Sequence, residues 1–269
     1  MSINDRNLNE LEEWIDNYLE KQNIDEIHKI DKYEHCKRTS AIAKQIYPNN
    51  RLLEVAMKFH DVGRFIQYDK IKSFDDRILS HYLLGKQFIE EQEKRNNIPS
   101  SNELDIIKNV IKYHMGVNYI PKEDLVNINK ETLKLIELAS IIDAIDNGCV
   151  GATYYIEREI INDEKHYKEQ NPNLDMKDVS DDVLYYYLNN IKFDKFKYCN
   201  TYADYLLYAI ILLIESLQNI KNTNIVIQII EKENSINKYI KLINKYVNKP
   251  ISEKCILHLK QIYKYYLIK

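Results

Sequence analysis

The chain has 269 residues, 45% of them hydrophobic and 29% charged, with a net charge of −3. That length supports one large domain or two small ones with a core that needs no disulfide or metal staple, and the near balance of charge excludes a general pull toward duplex nucleic acid or anionic lipid. Glycine and proline number only five each, against abundant Lys, Ile, Asn and Tyr, a usage that favours helices.

The opening MSINDRNLNELEEW is polar and acidic and is not read as a secretion signal. Apolar spacing near 3.6 residues predicts a first helix at 6–21, then helices at 31–46, 51–61, 78–94, 102–114, 130–147, 152–161, 180–191, 201–217, 222–232, 234–246 and 251–267. YPNN closes the second, NNIPSSNE separates the fourth from the fifth, and KPIS precedes the last. Ser100 with Glu103 fits a capping box for the fifth. The oily run YLLYAIILLI at 205–214 is half the length of a membrane span, so it is expected to be a buried core helix and no membrane partner is expected. No stretch alternates as a strand would, which makes the expected fold all-α. The polar segment 162–178, carrying Pro172, is the expected boundary between an N-terminal part, 1–161, and a C-terminal helical region, 162–269. Cys36, Cys149, Cys199 and Cys255 have no short regular spacing and read as reduced thiols of a cytoplasmic protein.

The stretch KFHDVGRF at 58–65 sets His60 and Asp61 side by side after an apolar run. Neighbours on a helix point about 100° apart, so both reach one point only if the helix ends there. Gly63 is expected to supply that end through a left-handed backbone. Of the seven histidines, His28, His166 and His258 sit in weakly patterned surroundings, whereas His35, His60, His81 and His114 fall at or near predicted helix ends. All five glycines lie between 63 and 151, close behind these residues or behind Asp143, where small residues let backbones crowd around a centre. In LASIIDAIDNG, 138–148, Asp143 and Asp146 share a face of an otherwise apolar helix. Two carboxylates on such a face are costly without a cation, and imidazole with carboxylate suits Mn, Fe, Co, Ni or Zn better than Ca or Mg.

The order His…His-Asp…Asp, in EHCKRTS (34–40), FHDVGRF (59–65) and DAID (143–146), resembles the HD superfamily of metal-dependent phosphohydrolases. FDDRILSHYLLG (74–85), IKYHMGVNYIP (111–121) and LASIIDAID (138–146) extend the likeness to a bacterial HD subgroup, as does 179–207 in the C-terminal part. The resemblance implies an HD-domain helical bundle with a C-terminal helical extension. It implies His35, His60, Asp61 and Asp143 as ligands of a first divalent transition metal. Asp61 would bridge to a second ion, for which His81 and His114 are the added ligands, and Asp146 would be a supporting carboxylate behind them. The chemistry implied is attack on phosphorus by water activated on one or two ions, with Asp61 at the centre. Arg64 is the candidate for a substrate phosphate oxygen, its alternative being an ion pair with Asp75 or Asp76. Lys37 and Arg38 lie off the ligand face. The expected substrate is a nucleotide or similar small phosphorylated metabolite. A nucleotide or metal sensor without turnover, or a di-iron oxygenase, are the competing readings.

Overall fold

The structure is a computed structural model and describes residues 5–21, 27–74, 76, 78–95, 101–151, 168–169, 171–218, 228–229, 231–232 and 234–267. Among these residues every regular element is a helix, as expected. The chain divides into two compact units, Met1–Asp143 and Ala144–Lys269.

In the first unit, α1 (Asp5–Lys21) buries Leu8, Leu11, Ile15 and Leu19, one apolar stripe at helical spacing, against α3 (Arg51–Phe59). Lys58 of α3 reaches back to Glu12 at 3.1 Å and Asp16 at 2.6 Å. Helix α3 starts where the Asn50 side chain accepts the Leu53 N–H at 2.8 Å. It buries Leu53, Val55, Ala56, Met57 and Phe59 and packs on α1, on α2 (Ile27–Ile46) and on α6 (Asn102–Tyr113). A helix apolar on so many sides is the centre of its unit. Thr39 of α2 fixes its register on α3, since its hydroxyl lies 3.1 Å from Met57 O, while Ser40 donates to Glu54 O at 3.0 Å.

Four expectations need correcting. Helix α4 (Val62–Ile71) follows α3 after a two-residue turn, where no helix was expected. Gly63 is therefore not a left-handed helix end but lies in the first turn of α4, and Gly116 is the glycine with positive φ among the described residues. The reason for glycine at 63 is contact. A Cβ there would lie 1.8 Å from His81 O and 2.7 Å from Gly85 N, both on α5 (His81–Arg95). Helix α6 is capped by Ser101, whose hydroxyl accepts the Leu104 N–H at 3.2 Å, one residue after the expected cap Ser100, which lies outside the described residues. Helix α2 begins at Ile27, four residues ahead of the expected start.

After α6 come a 3-10 turn (Val117–Tyr119), the short α7 (Lys122–Leu125) and α8 (Lys130–Ile145), which runs on into a π-helical turn, Asp146–Val150. The second unit is built on α11 (Tyr202–Gln218), which contains the oily run and buries Tyr205, Leu206, Leu207, Ala209, Ile210, Ile211 and Ile214. Around it lie α9 (Asp181–Leu188), α10 (Lys195–Tyr198), α12 (Ser235–Tyr246) and α13 (Ile251–Leu267). Tyr187 of α9 donates to Cys255 O at 3.1 Å, and buried Asp204 accepts from Ser180 N at 2.8 Å and Asn200 N at 3.0 Å. No helix among the described residues is long and apolar enough to cross a membrane. Among the described residues Cys36, Cys199 and Cys255 are buried and form no disulfide. The helix expected at 152–161, and most of that at 222–232, lie outside the described residues.

Candidate metal centre

Five elements of the first unit deliver its candidate ligands. His35 comes from the middle of α2. His60 and Asp61 form the turn between α3 and α4, so the 100° offset of helical neighbours does not apply and both face inward. His81 opens α5, His114 follows the last residue of α6, and Asp143 lies two residues before the end of α8. All four histidines and Asp61 are at least 96% buried, while the Asp143 side chain is 21% exposed.

The donor atoms fall into two groups. In the first, His35 Nε2 lies 3.0 Å from His60 Nε2 and 3.0 Å from Asp143 Oδ1, and His60 Nε2 lies 3.5 Å from Asp143 Oδ1. In the second, His81 Nε2 lies 3.2 Å from His114 Nε2 and 3.3 Å from Asp61 Oδ1, with His114 Nε2 at 3.8 Å from the same oxygen. Asp61 faces both groups, because its other oxygen, Oδ2, is 3.7 Å from His35 Nε2. Donors held about 2.1 Å from one ion stand roughly 3.0–3.4 Å apart in octahedral or tetrahedral geometry, so most of these spacings suit edges of a coordination shell.

The rings are aimed from behind. His60 Nδ1 is 2.7 Å from Met57 O, His114 Nδ1 is 2.8 Å from Ile111 O, and His81 Nδ1 is 2.6 Å from Asp76 Oδ1. A carbonyl or carboxylate oxygen only accepts, so each Nδ1 carries the proton, and a neutral ring then turns an Nε2 lone pair inward. For His114 neutrality is built in: burial, followed by the nearby His60 and His81, pushes its pKa down to about 3. Its lone pair therefore faces His81 Nε2 at 3.2 Å, a repulsive approach unless a proton or a cation lies between. Burial alone would raise the carboxyls. For Asp61, Lys32, His60 and His81 overcome that effect, and for Asp143, His35 and His60 do; both are held well below the usual range. Neutral imidazoles with ionised carboxylates are the donor set a divalent transition ion requires, so these residues fit such an ion.

Asp76 and Lys32 went unassigned in the sequence apart from Asp76 as a possible partner of Arg64. Asp76 holds the second group in place. Its Oδ1 accepts from His81 Nδ1, from His81 N at 3.1 Å, from Gln67 Nε2 at 3.0 Å and from Arg64 Nη1 at 3.1 Å. Burial opposes its ionisation, but the hydrogen bonds from His81 and the nearby Arg64 guanidinium outweigh it and keep the carboxyl low. Arg64 thus takes the ion-pair alternative. Nη1 also donates to Gln67 Oε1 at 3.0 Å and Phe74 O at 2.9 Å, Nη2 pairs with Asp76 Oδ2 at 3.0 Å, and Nε stands 3.8 Å from Asp61 Oδ1. The paired Nη edge needed for bidentate phosphate binding is already occupied. Lys32, one turn before His35 on α2, sets its Nζ 3.0 Å from Asp61 Oδ2. Its spacing from His35 was visible, but the late predicted start of α2 left it at a helix end. Asp76 offered no signal, since it lies in a loop five residues before His81. Lys37 points outward and pairs with Glu34 at 3.3 Å. Asp146 is fully buried in the π-helical turn and belongs to neither group of convergent donors among the described residues.

Residues 33–148 match the family model described as HD domain. Comparison with curated proteins and with solved structures finds no match. The matched span begins two residues before His35 and ends five after Asp143, enclosing every residue of the two donor groups. Over residues 33–148, less than half of the chain, the sequence is thus similar to the HD domain, a family most of whose members are metal-dependent phosphohydrolases.

Proposed function

We propose that this centre binds one or two divalent transition ions (Mn, Fe, Co, Ni or Zn) and hydrolyses a phosphoester or phosphoanhydride bond of a small phosphorylated metabolite, with nucleotides as the preferred class. The observation that carries the reading is the pair of donor groups sharing Asp61, with His81 and His114 Nε2 at 3.2 Å while each Nδ1 is engaged outward. When bound there, such an ion supplies Lewis acidity and a water of lowered pKa.

The chain's own part is preorganisation. Met57 O, Ile111 O and Asp76 fix three imidazoles in the tautomer that coordinates. Asp61 offers one oxygen to each group, which suits a bridging role, and its ionised form is maintained by Lys32 and the histidines. Arg64 acts through Asp76 rather than through a bidentate phosphate contact, with Nε left beside Asp61. Tyr82, whose ring stands 5.5 Å from that of His81, offers a face on which a base can stack; this supports a nucleotide among the small phosphorylated substrates.

The test is metal analysis of the purified protein, followed by phosphate release from a panel of nucleoside mono-, di- and triphosphates and dinucleotides with each ion added. Turnover that disappears in Asp61→Ala together with the metal, while the helical circular dichroism is retained, is the expected result. Stoichiometric metal without turnover of any phosphate compound would refute the hydrolase and leave a sensor or an oxygenase.

A further inference from the structure

We infer that Lys32 is the residue of this chain that receives a phosphate oxygen of the substrate, a role that rests on the metal-centre reading above but not on turnover. A phosphate drawn to ions between His35, His60, Asp61 and Asp143 needs donors from the protein at the same place. The described cations near the centre are mostly committed elsewhere. Lys29 pairs with Asp69 at 2.8 Å, Lys37 with Glu34 at 3.3 Å, Lys58 with Glu12 and Asp16, and both Nη atoms of Arg64 with Asp76. Lys32 differs in that its carboxylate partner is itself a member of the donor set, with Nζ 3.0 Å from Asp61 Oδ2.

An ammonium has three N–H donors. Asp61 takes one, and among the described residues it is the partner Lys32 has, so two remain beside the shared carboxylate. The Lys32 side chain is 13% exposed and that of Asp61 5%, so the lysine lies on the more open side of a buried cluster, where low dielectric strengthens an ionic contact. The α2 helix carries Lys32 one turn ahead of His35, on the same face. A phosphate oxygen next to Asp61 Oδ2 would thus meet an ammonium from α2 while the ions hold its other oxygens, which is a point-charge contact that lysine suits.

The probe is inorganic phosphate, titrated calorimetrically into the Mn-loaded full chain, with Mn per chain measured on the same samples. At saturating Mn, Lys32→Met is expected to hold Mn at the wild-type stoichiometry, since His60 and His81 also keep Asp61 ionised, and to bind phosphate about tenfold or more weakly, the effect of losing one charge-assisted hydrogen bond. Lys32→Arg is expected to stay within about threefold of wild type and to keep the salt dependence that Lys32→Met loses. Undiminished phosphate affinity in Lys32→Met would overturn the inference, as would wild-type protein that binds Mn but no phosphate at millimolar concentration. Loss of Mn in both variants would also overturn it, since Lys32 would then serve to place Asp61. Should Lys32→Met misfold by circular dichroism, Lys32→Gln takes its place under the same criteria. If the wild type turns over no nucleotide yet Lys32→Met still weakens phosphate binding, the hydrolase falls and the anion contact stands.

Discussion

Replacing Asp76 by alanine separates the two donor groups. Asp76 touches neither ion position, yet its Oδ1 accepts the His81 Nδ1–H at 2.6 Å and the His81 backbone N–H at 3.1 Å, and its carboxylate anchors Arg64 and Gln67. Without it the His81 ring is free to rotate or to move its proton to Nε2, which closes the lone pair to a cation. Removing such a partner of a ligand histidine costs about 10–100-fold in metal affinity, or roughly 1.4–2.8 kcal/mol. The stability cost should be of similar size: one charge-assisted bond contributes about 1.5–3 kcal/mol when buried, and with the Asp76 side chain 34% exposed the low end applies. The assay is calorimetric titration of metal-free protein with Mn or Zn. The first group, whose His60 is held by Met57 O, should keep its affinity, and only the weaker of two binding events should shift. Two affinities within twofold of wild type would refute the role given to Asp76. Equal weakening of both would show that the two groups are not separable.

Three further outcomes follow from the geometry. His81→Ala or His114→Ala should halve the metal content measured by elemental analysis, since each belongs to the second group alone; undiminished stoichiometry would place both outside the ligand set. Gly63→Ala should lower stability by about 1–3 kcal/mol in urea melts, because the added methyl would lie 1.8 Å from His81 O and α4 and α5 must separate. The metal-free protein should lose stability as pH falls from 6.5 toward 3: unfolded His114 takes a proton near 6.5 and folded His114 only near 3, so the unfolded state binds the extra proton throughout that window. Urea midpoints across pH should show that slope, up to about 1.4 kcal/mol per pH unit, and His114→Leu should reduce it.

The residues that meet at the centre could be read from the sequence because each is chemically conspicuous where it stands. His60 and Asp61 interrupt an apolar run, Asp143 lies in an apolar helix, and glycines follow His81 and His114 closely. The all-helical class followed from scarce glycine and proline and from the 3.6-residue period, which α1, α3 and α12 display well. Helix α4 was not legible, because Gly63 in its first turn looks like punctuation and only the unseen α5 backbone explains it. The fate of Arg64 was equally hidden. Phosphate and carboxylate are alike to a guanidinium, and the ion pair is made by a loop that brings Asp76 within 3.0 Å. The same loop made Asp76 invisible as a support for His81, since nothing local ties position 76 to position 81.

The junction between α3 and α4 couples the two donor groups. With α3 ending at Phe59 and α4 beginning at Val62, His60 and Asp61 occupy a turn in which both can face the centre. Two residues on, the absent side chain of Gly63 lets the first turn of α4 touch the His81 carbonyl, so the start of α5 is carried toward Asp61 Oδ1, 3.3 Å from His81 Nε2. Perturbing α2 or α5 alone should therefore affect one ion, by way of His35 or of His81. Perturbing the junction should affect both, because Asp61 faces each group and the position of His81 depends on how closely α4 approaches α5. Gly63→Ala is thus expected to weaken both binding events, where Asp76→Ala weakens one. If the two substitutions left the same residual site, the two groups would have to be built independently, and Asp61 would not be the residue they share.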